Sequence, residues 1–102
     1  MTRLLIVYTL AQDVPVQKAV DALLETGKEL PGTVTMGIYD RSAAEVAGQL
    51  RWIPYGDLVQ VLEFPEAAQA DAWQDTEAAK AQRRRCRHMF SNQSALTFPI
   101  VE

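Results

Sequence analysis

The sequence is poor in the residues from which many catalytic and metal sites are built. Its 102 residues include one cysteine and one histidine. A single cysteine cannot form an internal disulfide, which suits a reducing compartment. One histidine and one cysteine also supply too few ligands for a zinc-type site. The sequence has no glycine-rich phosphate loop, nucleophile elbow or dinucleotide fingerprint. We therefore expect no metal and no cofactor.

Long apolar runs and excess positive charge are missing as well. No segment reaches the roughly 18 consecutive apolar residues of a membrane span. The apolar run after Arg3 stops at Gln12-Asp13 with no small-residue cleavage site behind it, so it is interpreted as a strand and not as a signal peptide. The formal net charge of −3 disfavours nucleic acid as a partner. These absences predict a cytoplasmic protein that binds neither nucleic acid nor membrane.

The order of the remaining segments predicts the fold. Alternating and periodic apolar patterns indicate strand, helix, strand, strand, helix, strand. This is the ferredoxin-like β-α-β-β-α-β order, an α+β fold with a four-stranded antiparallel sheet and two helices on one face. We expect a single domain over residues 1–102. The predicted strands are Arg3–Leu10, Thr33–Tyr39, Asp57–Phe64 and Ser94–Val101.

Capping and breaking residues predict where the helices begin and end. Asp13 is expected to cap the first helix, and Leu30-Pro31-Gly32 to end it. The second helix opens at Pro65, and a change of phase at Asp75-Thr76 predicts a kink or restart. The inward stripe of that helix is expected to continue through Cys86 to Phe90.

Both faces of the predicted sheet are apolar. In the first strand, Ile6 and Tyr8 point to one face while Leu5 and Val7 point to the other. A sheet with helices on one side and water on the other would alternate apolar and polar residues. We therefore expect the same sheet of a second subunit to cover the free face, giving a homodimer. Pro99 predicts that the last strand lies at a sheet edge.

Aromatic residues are the candidates for a binding pocket. Their rings and polar atoms suit a ring-shaped or apolar compound. The alternative for each is packing in the core or at a subunit interface. The candidate substrate-binding residues are Tyr8, Tyr39, Trp52, Tyr55 and Trp73.

His88 and its neighbours carry the remaining chemistry. His88 is a candidate general base at the end of the second helix, and the alternative is a surface histidine. The nearby arginines favour a solvated helix end, with recognition of an anionic group as the alternative. Cys86 is interpreted as a buried packing residue in preference to a reactive thiol. These arginines are Arg83, Arg84, Arg85 and Arg87.

The chain contains several short motifs: Leu30-Pro31-Gly32, Tyr55-Gly56-Asp57 before Leu58–Phe64, Glu63-Phe64 before an alanine-rich helix with Trp73, and His88-Met89-Phe90. Together they resemble the dimeric α+β barrel superfamily, near its EthD-like and stress-responsive A/B-barrel groups. The resemblance implies two sheets paired back to back and a small-molecule pocket between each sheet and its helices. Members include isomerases, cyclases, cofactor-free monooxygenases and haem-degrading enzymes.

Two departures from the superfamily narrow the functional hypothesis. Val14 to Glu29 contains no histidine, unlike EthD-like proteins, and the first strand has no asparagine, so haem is not predicted. The leading hypothesis is a small homodimer that binds or transforms an apolar, aromatic or polyketide-like compound, as a cofactor-free isomerase, cyclase or monooxygenase-type enzyme. The alternative is a non-catalytic dimeric accessory module.

Overall fold

The computed structural model describes residues 1–40 and 57–99. Trp52 and Tyr55 lie outside these residues. The strands and helices follow the predicted order, which is confirmed. The strands are β1 (Thr2–Leu10), β2 (Thr35–Asp40), β3 (Leu58–Phe64) and β4 (Phe90–Pro99). The helices are α1 (Val16–Leu24), α2 (Ala67–Ala72) and α3 (Glu77–Arg85), with 3₁₀ segments at Glu25–Glu29 and Trp73–Asp75.

The four strands form one antiparallel sheet in the order β2-β3-β1-β4. Strand β4 lies at an edge, as Pro99 predicted, because a residue without an N–H is tolerated where only one neighbour is paired. Its predicted start at Ser94 was wrong. It begins at Phe90, because β1 offers pairing partners as far as Leu10.

The helices cover one face of the sheet. The register places Tyr8 opposite Leu58, and Leu4 opposite Leu62, on the face that packs against the helices. Ala19 and Leu23 of α1 and Ala79 of α3 complete this core. Among the described residues, no helix is long and apolar enough to span a membrane.

The second helical segment is broken where the sequence predicted a restart. Helix α2 ends at Ala72, a 3₁₀ turn carries Trp73, and α3 begins after Thr76. The Thr76 hydroxyl donates to the Trp73 carbonyl oxygen at 2.6 Å and accepts from the Ala79 amide at 3.3 Å. This threonine therefore ends one turn and caps the next helix. Helix α3 stops at Arg85, earlier than the expected inward stripe.

The predicted cap of α1 was wrong. Pro15 occupies the position before the helix, and Asp13 adopts a positive φ of 67°. A hydrogen bond from the Val14 amide to the Ala11 carbonyl closes a turn around Asp13. Aspartate is one of the residues that tolerate this left-handed conformation, which explains its position without a capping role.

Within residues 1–40 and 57–99, His88 is the second non-glycine residue with a positive φ, at 72°. It occupies the third position of a turn that the Met89 amide closes by donating to the Cys86 carbonyl at 3.0 Å. Met89 in turn accepts a hydrogen bond from the Ala11 amide at 2.8 Å, so the turn is joined to the chain beyond β1. The left-handed conformation is therefore imposed by the path from α3 into β4.

We expect His88→Gly to raise the free energy of unfolding by about 1 kcal/mol, because glycine adopts a positive φ without the Cβ penalty. Arg87→Gly is the matched control, since Arg87 is an exposed neighbour without a positive φ. It should lower stability by about 0.5–1 kcal/mol through backbone entropy. Urea unfolding measures both, and an equal loss in the two variants would contradict the assignment.

Candidate functional site

A buried hydrogen-bond network joins β1, β3 and α3 on the helix-covered face. The Tyr8 hydroxyl donates to Gln60 Oε1 at 2.7 Å and accepts from Gln82 Nε2 at 2.7 Å. The two glutamine amides also pair reciprocally, at 2.7 Å from Gln60 Nε2 to Gln82 Oε1 and 3.0 Å in return. None of the three side chains is more than 4% exposed. Strand and helix are thus tied together by polar groups inside an apolar core.

The network extends toward the surface through Thr26 and Arg85. The Thr26 hydroxyl donates to Gln82 Oε1 at 2.6 Å and accepts from Arg85 Nη2 at 2.8 Å. Arg85 also donates to the Ala22 carbonyl and forms an ion pair with Glu29 at 2.8 Å. Arg85 therefore ties α3 to α1 and the following 3₁₀ segment, whereas Arg84 and Arg87 are exposed, as expected for a solvated helix end.

The hydrogen bonds of the network occupy the Tyr8 hydroxyl, which therefore has a structural role. The hydroxyl donates its proton to Gln60. Burial raises the pKa of Tyr8 well above its usual range. The charge of Cys86 adds to this rise in pKa, and the hydrogen bond with Gln82 opposes it. Tyr8 is therefore a neutral hydroxyl at physiological pH. What it offers a ligand is the surface of its ring, which packs against Phe90 with centroids 4.3 Å apart.

The sequence reading missed the roles of Gln60 and Gln82. The signals were present: Gln60 alternates with Leu58 and Leu62 on the inward face of its strand, and Gln82 lies three residues after Ala79 on the inward stripe of α3. A polar residue at an inward position implies a buried partner. The identity of that partner depends on how α3 is placed over the sheet.

A cavity of about 130 Å³ lies beside this network, between β1, β4 and the helices. It brings together Tyr8 and Trp73, two of the five predicted pocket residues. Its described lining residues are Ile6, Tyr8, Trp73, Gln74, Ala79, Gln82, Arg83, Gln93, Ser94 and Ala95. We refer to it as the polar cavity, because amide, hydroxyl and guanidinium groups make up much of its wall.

Arg83 is the charged residue among the described lining residues of the polar cavity. Its Nη1 and Nη2 donate to the Gln74 side chain at 3.0 Å and the Gln74 carbonyl at 2.9 Å, which fixes the guanidinium plane. A guanidinium has five N–H groups, so further donors remain for an anionic ligand. This residue also lines an adjoining cleft of about 400 Å³, together with Gln93.

Cys86 lines the adjoining cleft but is buried. Burial raises the pKa of the Cys86 thiol, and the nearby Arg85 guanidinium opposes that shift. A raised pKa keeps the sulfur protonated at neutral pH. Both observations support the interpretation of Cys86 as a packing residue.

Two candidate residues lie away from the polar cavity. Tyr39 pairs with Val59 in the sheet register, whereas Tyr8 pairs with Leu58, so the two tyrosines occupy opposite faces. The Tyr39 ring lies over Gly37, where an added Cβ would be 2.7 Å from its hydroxyl oxygen. The structure therefore does not bring Tyr39 together with Tyr8, and a binding role for Tyr39 stays a prediction.

His88 is exposed in the turn after α3 and is not among the described lining residues of the polar cavity. This position agrees with the surface-histidine alternative, because the chain leaves the helix at Arg85 before it reaches His88. A catalytic role for His88 stays a prediction. Within residues 1–40 and 57–99, no three side chains of His, Cys, Asp or Glu lie together as a metal site.

Gln82→Met should lower the free energy of unfolding by about 3 kcal/mol, because it leaves Gln60, Thr26 and Tyr8 short of buried partners. Gln17→Met is the control, since Gln17 is exposed and its amide donates only within α1, to Asp21. It should change stability by less than about 0.5 kcal/mol. Thermal or urea unfolding provides the measurement. Equal effects in the two variants would show that the network adds no stability.

Comparisons with known proteins identify the fold. No protein-family model matches the chain, and no curated protein sequence matches it significantly. A crystal structure of a dimeric ferredoxin-like protein of unknown function from Thermobifida fusca is 16% identical, has a TM-score of 0.65, and is matched over 97% of this chain and 90% of that one.

Two further structures give the same answer. A DABB family protein with a ferredoxin-like fold from Mesorhizobium loti is 16% identical with a TM-score of 0.66, over 99% of this chain and 97% of that chain. A dimeric ferredoxin-like protein of unknown function from Jannaschia sp. is 13% identical with a TM-score of 0.60, over 97% and 98%. At these identities the likeness concerns the fold alone. This chain has the ferredoxin-like α+β fold that its segment order predicted.

Proposed function

We propose that this protein is a small-molecule binding protein whose ligand is a flat organic anion of about one ring. The observation that carries the proposal is the polar cavity, in which an oriented Arg83 guanidinium meets the aromatic surfaces of Tyr8 and Trp73. Pockets that combine aromatic walls with a few polar groups are typical ligand sites. Arg83 supplies charge, and the two rings supply apolar contact area.

The volume of the polar cavity limits the size of the ligand. A cavity of about 150 Å³ is known to accept benzene, and this one measures about 130 Å³. A single ring with its carboxylate directed toward Arg83 suits this space. A polyketide-like compound of several rings exceeds it. We therefore narrow the expected apolar or aromatic ligand to the single-ring class.

The lining groups favour binding over acid–base chemistry. The polar groups of the polar cavity are amides, hydroxyls and a guanidinium, and the described lining includes no Asp, Glu, His or Cys. Burial also keeps Tyr8 protonated by raising its pKa. Such groups orient a ligand and neutralise its charge, whereas an isomerase or cyclase needs a group that exchanges protons near neutral pH. A non-catalytic role in the cytoplasm is the version of the hypothesis that we favour.

We also propose that the 102 residues form one domain that pairs with a second copy through the open face of the sheet. That face, which the described helices do not cover, carries Leu5, Val7 and Val61, which are buried, together with Tyr39 and Leu96, which are exposed. Apolar residues on both faces of an antiparallel sheet favour a cover on each side. Two of the structural neighbours are described as dimeric, which supports the same arrangement.

The ligand proposal predicts that benzoate binds in a saturable manner. A titration monitored by two-dimensional amide NMR of the folded protein measures this binding. Arg83→Met should weaken that binding by about tenfold, because a charge-assisted hydrogen bond is lost. Arg84→Met is the matched control: Arg84 is the next arginine on α3, is exposed, and is not among the described residues that line the polar cavity. The Arg84→Met variant should bind benzoate with the same affinity as the wild type.

Native mass spectrometry of the gently purified protein complements the titration. A reproducible extra mass on each protomer would identify the natural ligand and its class. Benzoate binding that is absent, or equally weakened by both arginine variants, would contradict the proposed site. Loss of binding in Arg83→Met alone would support it.

The assembly proposal predicts that Leu96→Lys converts the dimer to a monomer, because a charge would be buried within an apolar interface. Leu24→Lys is the control, since Leu24 on α1 is 47% exposed and Leu96 is 46% exposed. Sedimentation equilibrium of the three proteins measures the effect. A monomeric wild type, or equal dissociation in both variants, would overturn the proposed interface.

A further inference from the structure

Trp73 also lines a second cavity, which has a volume of about 370 Å³. Of the described residues, Trp73 alone borders both this cavity and the polar cavity. The second cavity is bounded by the end of the first 3₁₀ segment, the end of β3 and the residues around α2 and the start of α3. Its volume is within the range of about 300–1,000 Å³ that is usual for ligand sites.

The wall of this cavity is chiefly apolar, so we refer to it as the apolar cavity. Its described lining includes Leu30, Val34, Phe64, Ala72 and Ala78. Such a surface binds a ligand mainly by removing apolar area from water, at about 25 cal/mol per Å². It gives no directional contact by itself.

The charged groups at the apolar cavity are carboxylates. Glu29 is paired with Arg85 at 2.8 Å, and Glu77 lies 3.9 Å from Lys80 in the first turn of α3. The described lining includes no lysine or arginine. The partial positive charge of the α3 N-terminus is met by Glu77 itself. An anionic ligand is therefore disfavoured here, in contrast to the polar cavity with Arg83.

Trp73 supplies one polar contact that nothing on the described chain uses. The residue is 3% exposed, and its indole Nε1 has no hydrogen-bond partner among residues 1–40 and 57–99. Leaving a buried donor unpaired is energetically unfavourable, so a ligand acceptor at this position would be stabilised. The Trp73 carbonyl is held by Thr76 at 2.6 Å, so the backbone that carries the indole is fixed between the two helices.

We propose that the apolar cavity is a second binding site, for a small uncharged molecule with an apolar body and one carbonyl or ether oxygen. The apolar body fills the space beside Phe64 and Val34. The oxygen accepts the hydrogen bond of the Trp73 indole. The site is separate from the proposed anion site, and its existence does not depend on that site.

Acetophenone at millimolar concentration is the probe, and the indole N–H signal of Trp73 is the reporter. The Trp73→Phe variant identifies this signal and removes the donor while keeping an aromatic ring. We expect acetophenone to shift the Trp73 indole proton downfield in a saturable manner, as it forms a hydrogen bond. Binding to Trp73→Phe should be about tenfold weaker, detected through the backbone amides around the cavity.

Two filling variants distinguish the cavities. Ala72→Leu occupies the apolar cavity and Ala95→Leu the polar cavity, and both alanines are exposed, so leucine is compatible with the fold. Acetophenone binding should be lost in Ala72→Leu and retained in Ala95→Leu. Benzoate should show the reverse pattern. Each proposal can therefore fail while the other stands.

Three outcomes would overturn the second site. The first is a wild-type protein whose Trp73 signal does not respond to acetophenone. The second is acetophenone binding that is lost in Ala95→Leu and kept in Ala72→Leu, which would place the ketone in the polar cavity. The third is equal affinity of the wild type and Trp73→Phe, which would remove the role of the indole. The titrations of the wild type and of Trp73→Phe test the second site even if a filling variant fails to fold.

Discussion

The reciprocal amide pair between Gln60 and Gln82 is the interaction on which the rest of the structure depends. Each amide places a donor and an acceptor in an apolar core, where an unpaired polar group is costly. The observed placement of α3 over β3 brings the two amides together while Tyr8 and Thr26 complete their remaining bonds. The apolar residues drive α3 onto the sheet, and this network selects the position at which it rests.

The break between α2 and α3 has the next largest consequence. In a continuous helix, successive side chains are rotated by about 100° around the helix axis, and this rotation would set the direction of the Trp73 side chain. The 3₁₀ turn and the Thr76 cap instead hold Trp73 between two cavities of different chemistry. One cavity contains a guanidinium fixed by Gln74, and the other is rimmed by carboxylates. A single buried indole thus separates a space suited to anions from a space suited to uncharged molecules.

The two faces of the sheet differ in what they present. The helix-covered face holds the polar network and the cavities, whereas the opposite face carries the buried residues Leu5, Val7 and Val61 and the exposed Tyr39. The side-chain period of a strand is two, so neighbouring residues of β1 serve different faces. This separation is why Tyr39 is absent from the described lining of the polar cavity although Tyr8 belongs to it. It also allows a change on one face to leave the other intact.

The sequence by itself determined the order of strands and helices, the edge position of β4, the restart at Thr76 and the apolar character of both sheet faces. These features depend on local alternation, helical spacing and the special backbone of proline, which neighbouring residues encode. Only the tertiary structure decided that Gln60 meets Gln82, that Tyr39 is separated from Tyr8, and that His88 lies in a left-handed turn at the surface. Such features depend on strand register, helix rotation and the path between elements, which are fixed by contacts between residues far apart in the chain.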